Sequence, residues 1–338
     1  MRKIILNALK ITFFLGIGVF FIWLFMHNLT AEEKKDIYSS FTGANYWWVL
    51  LSIFIMLLSH MSRTIRWKIL IEPLGYKPST KNLFLALLIG YFANLALPRL
   101  GEVSRCGIVS KYEKIPFQKM IGTVVTERAI DLLSLFIAFV LAFFLHLDKV
   151  AKFKELGIYQ KASERLDKIE NPGIYNWSLI ILFIGLLFLL YKSRHKISHF
   201  KWYQKINTIV LGFLEGLKSL FKIKKLFWFI FHSIFIWVAY LFMVWVVFFS
   251  LPETSLLGLD VGVAVLVFGS IGIIVIQGGI GIYPWIVAQI LLLFHISGTK
   301  GYAMGWILWT GQTVMIILSG LASMVLLPLL NNKKDDKA

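Results

Sequence analysis

Long apolar runs separated by short charged loops dominate this chain. Six runs are long enough to cross a bilayer: Ile4–Met26, Tyr46–Ile65, Ile121–Leu147, Ile174–Tyr191, Leu226–Leu251 and Tyr302–Leu330. Each approaches or exceeds the ~18–20 apolar residues that a spanning helix needs. Two further apolar segments are interrupted. Leu83–Val109 breaks at "LPRLG", and Val261–Phe294 breaks at "QGGIGIYP". The pattern predicts an all-α polytopic integral membrane protein with about eight membrane segments.

The lysines and arginines between the runs decide how the interrupted segments are threaded, because basic loops stay in the cytoplasm. Met1–Lys3 is basic and places the N-terminus inside. The loop His27–Asn45 is near balance and faces out. Arg63, Arg66, Lys68, Lys77 and Lys81 follow the second run, and Arg105, Lys111, Lys114 and Lys119 follow the first interrupted one. Both flanks of that segment are therefore inward, and it enters and returns. Asp148–Gly173 then faces out, while Lys192–Lys225, with nine lysines and arginines against one glutamate, faces in. "PETSLLGLD" faces out, only Lys300 is basic beyond the second interrupted segment, and "NNKKDDKA" ends inside.

The expectation is six full spans and two re-entrant hairpins that enter from opposite faces, with both termini cytoplasmic in the cytoplasmic (inner) cell membrane. Their breaks lie about 180 residues apart, in corresponding halves, as in transporters built from inverted repeats. One transmembrane domain, 1–338, would hold a first half, 1–147, with its hairpin at 83–109. The second half, 174–330, would have its hairpin at 261–294. Within 192–225, apolar residues at helical spacing from Ile206 to Leu220 predict an amphipathic cytoplasmic linker helix on the inner leaflet.

Composition fits this layout. The chain of 338 residues is 58% hydrophobic, with mean hydropathy +0.75, beyond the range of ordinary soluble domains. A net charge of +17 in a soluble protein would suggest nucleic acid. Here the charge lies in the loops, so topology accounts for it and no nucleic-acid partner is expected. Cys106 is the sole cysteine, which leaves no internal disulfide and no cysteine metal cluster. No small-residue cleavage site follows the first apolar run, so it reads as a retained span.

Candidate chemistry gathers at the breaks. Irregular backbone survives at membrane depth only when buried in protein or lining a wet cavity. Pro98 and Gly101 break the first hairpin; Gln277, Gly278, Gly279, Gly281 and Pro284 break the second. Each break starts a new half-helix whose free N–H groups favour an anion. The alternative for the second break is close glycine contact between helices. Arg99, Glu102 and Arg105 follow the first break. In "TERAIDLL", Glu127, Arg128 and Asp131 lie near one helical face. The six charges sum to zero. They can fasten the third span to the hairpin, or hold arginines that grip a phosphate in bidentate fashion. For Arg99 and Arg105 the plain alternative is that they mark the cytoplasmic boundary. His60, Arg63 and Arg66 are expected to snorkel from the end of the second span.

The stretch "LPRLGEVSRCGIVSKYEKIPFQKMIGTVVTERAIDLLSL" resembles the flippase-like transmembrane domain of lysylphosphatidylglycerol synthases, which also occurs as a stand-alone membrane protein. The Pro-Arg-x-Gly-Glu break with its following arginine matches Pro98, Arg99, Gly101, Glu102 and Arg105. The Glu-Arg-x-x-Asp signature matches Glu127, Arg128 and Asp131. The Gly-Gly-x-Gly turn matches Gly278, Gly279 and Gly281. One departure stands out, since Tyr283 and Pro284 occupy the place where the family often has an Arg-Glu pair. The resemblance implies translocation or handling of a membrane lipid, anionic or zwitterionic. It does not imply lysyl transfer, which belongs to a soluble domain that is not expected after the last run.

No phosphate-binding glycine loop, nucleophile elbow or metal-ligand spacing is present, so neither cofactor nor metal is expected. Three function classes remain: a lipid translocator; an accessory subunit, as a homo-oligomer or beside an envelope enzyme; and a headgroup transferase with Glu127 or Asp131 as base. The missing nucleotide and metal motifs weigh against the third.

Overall fold

A computed structural model describes residues 16, 19–27, 29–97, 99–146 and 223–335. Among these residues the chain is helical, without strands. Residues 19–26 are helical and lead to α1 (Ala31–Gly43), α2 (Tyr46–Ile71), α3 (Thr80–Ala96), α4 (Leu100–Glu113) and α5 (Phe117–Leu145). The second part comprises α6 (Leu226–Phe248), α7 (Leu259–Val275), α8 (Ile282–Leu292) and α9 (Gly298–Asp335). Four helical stretches are long and apolar enough to cross a membrane: Tyr46–Leu74, Phe117–Leu145, Leu226–Phe248 and Gly298–Asn331. Ile174–Tyr191, the linker helix from Ile206 to Leu220 and most of Ile4–Met26 fall outside the described residues.

Two elements differ from the sequence expectation. His27–Asn45 contains a helix rather than a plain loop. The Thr30 side chain accepts from the Glu33 amide at 3.2 Å, and Glu33 returns a 2.7 Å contact to the Thr30 amide. This reciprocal cap satisfies two N–H groups that a helix start would leave free. α2 runs to Ile71, beyond the expected end at Ile65. It stops where Pro73 enters a single 3-10 turn and Gly75, at φ 89°, reverses the chain.

The two interrupted segments are helical hairpins. Arms of 17 and 14 residues form the first, and arms of 17 and 11 residues the second. None reaches the ~20 residues of a full span. The arms of the first run antiparallel. The Asn82 amide donates to Glu113 at 2.6 Å near the open end, and the Gly101 amide donates to the Asn94 side chain at 2.8 Å near the tip. In the second, Tyr283 sits against Gly269, and Ile286 against Gly272.

Backbone chemistry explains both tips. Leu97 is extended, as the residue before a proline must be. Pro98 lies outside the described residues. Arg99 takes a left-handed conformation, φ 64°, and opens α4. In the second tip Ile276 is extended, and Gly278, Gly279 and Gly281 all have φ near +70°, which glycine adopts without a Cβ clash. Pro284 is the third residue of α8, where its missing N–H costs nothing.

The helices pair in an exchanged, repeated pattern. α2 packs on α6. The first hairpin packs through α3 on α9, and the second packs through α7 on α5. α4 meets α5 as α8 meets α9, and α2 meets α3 as α6 meets α7. The equivalent helices α2 and α6 run antiparallel: Asn45 N donates to Ser250 O at 2.9 Å, Ser52 Oγ to Met243 O at 2.8 Å, and Ser62 Oγ lies 2.8 Å from His232 Nδ1.

The hairpins open toward opposite ends of the bundle. At one end Asn82 meets Asn331, and Lys68 meets Thr80. At the other, Lys300 meets Asp36 and Glu253, and His146 meets the Asp260 carbonyl.

Candidate functional site

α5 carries Glu127 and Asp131 one turn apart, so both carboxylates reach the same neighbours. The partners on α2 are Arg63 and Arg66, three residues apart. Arg63 Nη1 lies 2.7 Å from Glu127 Oε1 and 2.7 Å from Asp131 Oδ2. Arg66 Nη2 lies 2.6 Å from Asp131 Oδ1 and 3.6 Å from Glu127 Oε1. Arg105, from the returning arm of the first hairpin, places Nη2 3.0 Å from Glu127 Oε2.

This network is buried. Glu127 and Arg66 are 0% exposed, Arg105 3% and Arg63 5%. Aromatic and hydroxyl groups line it. The Arg105 guanidinium sits 4.7 Å over the Trp67 ring, and Trp67 is itself fixed by donation to Thr123 Oγ1 at 2.9 Å. Arg63 Nη2 donates to the Tyr240 hydroxyl at 3.2 Å, and Arg66 Nη1 reaches Ser233 Oγ at 3.4 Å.

Three guanidinium groups face two carboxylates, which leaves one positive charge in excess inside the bundle. The donors are also incompletely used: Nε of Arg63, Arg66 and Arg105 makes no hydrogen bond among the described residues. Close by, His60 stacks on Tyr91 at 4.5 Å, and the Tyr91 hydroxyl is buried without a partner. An uncompensated buried cation with spare N–H groups favours an anion.

The expected snorkelling of His60, Arg63 and Arg66 is corrected by this geometry. All three are inside the protein: Glu127 and Asp131 supply Arg63 and Arg66 with the charge that water would otherwise supply, and His60 stacks on Tyr91. Their signal in the sequence is Ser59, Ser62, Arg63 and Arg66, a polar stripe at helical spacing within an apolar run. Glu127, Asp131 and Arg105 do converge. Arg128 does not pair with either carboxylate of its own helix; it meets Glu102 at 2.7 Å at a half-exposed site, with 46% of its side chain accessible. Arg99 is exposed at the tip and makes no ion pair among the described residues.

Around the first tip, Tyr91, Asn94, Gly101, Glu102, Arg105 and Arg128 enclose a void of about 10 Å³, room for about one water. Gly90 and Gly101 make that closeness possible, since a Cβ on either would press into the other's carbonyl. The Gln277–Gly279 turn of the second tip lies against α3. The Gly278 carbonyl accepts from Trp309 Nε1 at 2.7 Å. Gly279 is buried, and the Gln277 side chain lies outside the described residues. Among those residues no group of three His, Cys, Asp or Glu could hold a metal ion.

The family model described as the lysylphosphatidylglycerol synthase TM region matches residues 7–320. A UPF0104 membrane protein of Methanocaldococcus jannaschii is 30% identical over 260 residues, covering 72% of each chain. No solved structure matches.

Proposed function

The chain belongs to the lysylphosphatidylglycerol synthase transmembrane-region family, and from that footing we propose that it is a flippase-like protein. It moves a phospholipid or lipid-linked headgroup between the leaflets of the cytoplasmic membrane, with both termini in the cytoplasm. The observation that carries this reading is the excess guanidinium charge at the tip of a helical hairpin. A headgroup phosphate needs donors and positive charge at membrane depth, and Arg105, with spare N–H groups, supplies both.

The void beside Arg105 is far too small for a phosphate group, so this conformation is closed. Passage requires the first hairpin to shift against α5. The Arg128–Glu102 contact is half-exposed and is the weaker of the bonds across that seam. Arg99, exposed at the tip, meets the headgroup first. The acyl chains stay in lipid while the headgroup crosses between the two tips. The inverted pairing of α2 with α6 supports alternating access from the two faces.

The test is transfer of a labelled phospholipid between leaflets of proteoliposomes, normalised to folded protein. Wild type should exceed empty vesicles. Arg99→Lys should lose part of the rate and Arg99→Ala most of it, both with unchanged melting, because lysine keeps the charge but not the planar fork. Transfer no faster than in empty vesicles, or wild-type transfer by Arg99→Ala, would overturn the reading and leave an accessory membrane subunit in its place.

A further inference from the structure

A second cavity lies away from the hairpin tips. It holds about 440 Å³ between the C-terminal end of α2 and the start of α6. That volume is in the range of small-molecule sites. Lys68, Thr80, His232 and Trp228 line it, with the Lys225–Glu72 pair at its edge and Ile65 and Ile69 as its apolar floor.

Its charges are unequally answered. Lys225 Nζ lies 2.8 Å from Glu72 Oε2. Lys68 Nζ donates to the Thr80 hydroxyl at 2.9 Å and makes no ion pair among the described residues. The cavity therefore carries one net positive charge on a half-buried lysine with N–H groups to spare. Trp228 and the two isoleucines give an apolar wall of the kind found at the headgroup level of membranes. The loop charges assign this end to the cytoplasm, where anionic headgroups collect.

We infer that this cavity is a second lipid site, which binds the phosphate of an anionic glycerophospholipid from the inner leaflet through Lys68. It is separate from the Arg105 site. Among the described residues it is linked to the buried network by hydrogen bonds on α6, where His232 is bonded to Ser62 and its neighbour Ser233 to Arg66, and by packing of Ile65 and Ile69 with Ile130 of α5. The inference does not depend on translocation, and the test measures binding alone.

Native mass spectrometry of the full chain, released from nanodiscs, compares retained phosphatidylglycerol, phosphatidylcholine and added inorganic phosphate. Wild type should retain phosphatidylglycerol in preference to phosphatidylcholine. Lys68→Ala should weaken that retention roughly tenfold, the loss of one charge-assisted hydrogen bond, and Lys68→Glu should remove it. Glu72→Gln should strengthen it, because Lys225 is then unanswered. This gain also serves if a Lys68 variant folds poorly. Equal retention of both lipids, or retention unchanged by all three substitutions, would overturn the site. Displacement of phosphatidylglycerol by equimolar inorganic phosphate would assign the cavity to the free ion instead.

Discussion

The two hairpins occupy matching places in the pairing of the helices but are held by different forces. The first is ionic at its tip: Arg105 reaches Glu127, and Glu102 reaches Arg128. Its open end is closed largely by amides, through Asn82 and Asn331. The second reverses this. Among the described residues its tip is glycine and apolar packing, with an indole bond to Gly278, while its open end is clasped by Lys300 between Asp36 and Glu253. Packing complementarity cannot slip without a clash. A salt-bridged tip that already carries spare donors can trade one anion for another. The difference teaches that matching places in the pairing pattern can be held by unlike forces, ionic at the first tip and close-packed at the second.

The largest test of this contrast is the ionic core. Arg63→Ala leaves Glu127 and Asp131 short of a partner where water cannot replace it, and should cost about 3–5 kcal/mol. Arg128→Ala removes a half-exposed pair and should cost about 0–1 kcal/mol. Thermal unfolding in detergent, followed by size-exclusion fluorescence, compares the two. Equal losses would mean that the buried cluster is wet and that the first tip is no different from a surface pair.

Packing in the second hairpin comes next. A Cβ on Gly305 would stand 2.5 Å from the Pro284 Cα and 2.9 Å from its carbonyl oxygen, both backbone atoms. Gly305→Ala should therefore force helix α8 off α9 at a cost of about 1–3 kcal/mol. Gly107→Ala on the first hairpin meets nothing within 4 Å and should be neutral or stabilising by about 0.5–1 kcal/mol. The same melting assay reads both. A harmless Gly305→Ala would remove close packing as the force that holds the second hairpin.

Much of this contrast was legible in the residues, and the rest was not, for physical reasons. Apolar runs and the breakers at Leu97–Gly101 and Gln277–Pro284 announce both hairpins, because length and backbone freedom are local properties. The helix Ala31–Gly43 was also written locally, in Thr30 and Glu33, but its polar surface reads as loop when hydropathy is the guide. The carboxylates Glu127 and Asp131 point to a costly site on their own. Their partners Arg63 and Arg66 lie more than sixty residues away, and at the end of an apolar run a paired arginine looks the same as a snorkelling one. Only the antiparallel seating of α2 beside α5 and α6 tells them apart. Helical spacing likewise puts Arg128 near Asp131, yet the carboxylate it meets is Glu102 of the hairpin.

A smaller effect isolates the indole bond of the second tip. Trp309→Phe keeps most of the ring but removes the indole N–H from the Gly278 carbonyl, and should cost about 0.5–1.5 kcal/mol. Gly278 itself has open space around it, so the change should leave the packing of α7 and α8 intact. Hydrogen exchange across 276–282 should rise while the first tip is unchanged. Faster exchange at both tips would mean that the two hairpins are coupled rather than separately held.

The smallest effect is the pH response of the two open ends. The Thr299 hydroxyl, 2.6 Å from Asp36, and the Lys300 ammonium, 2.9 Å away, hold the Asp36 carboxyl below the usual carboxylate range. A depressed folded value means that the charged form is favoured in the native state. Its contribution is then fully present above the unfolded value, roughly 3.9, and is lost as pH falls through the lower folded value. The wild-type melting temperature should thus fall more than that of Asp36→Asn between neutral and strongly acidic pH. The difference between the two curves cancels the titration of every other group. It should be modest, because the clasp is partly exposed and screened. Parallel curves would show that Asp36 adds no charge-dependent hold on Lys300, and the second hairpin would then be fastened by packing at its open end as well as at its tip.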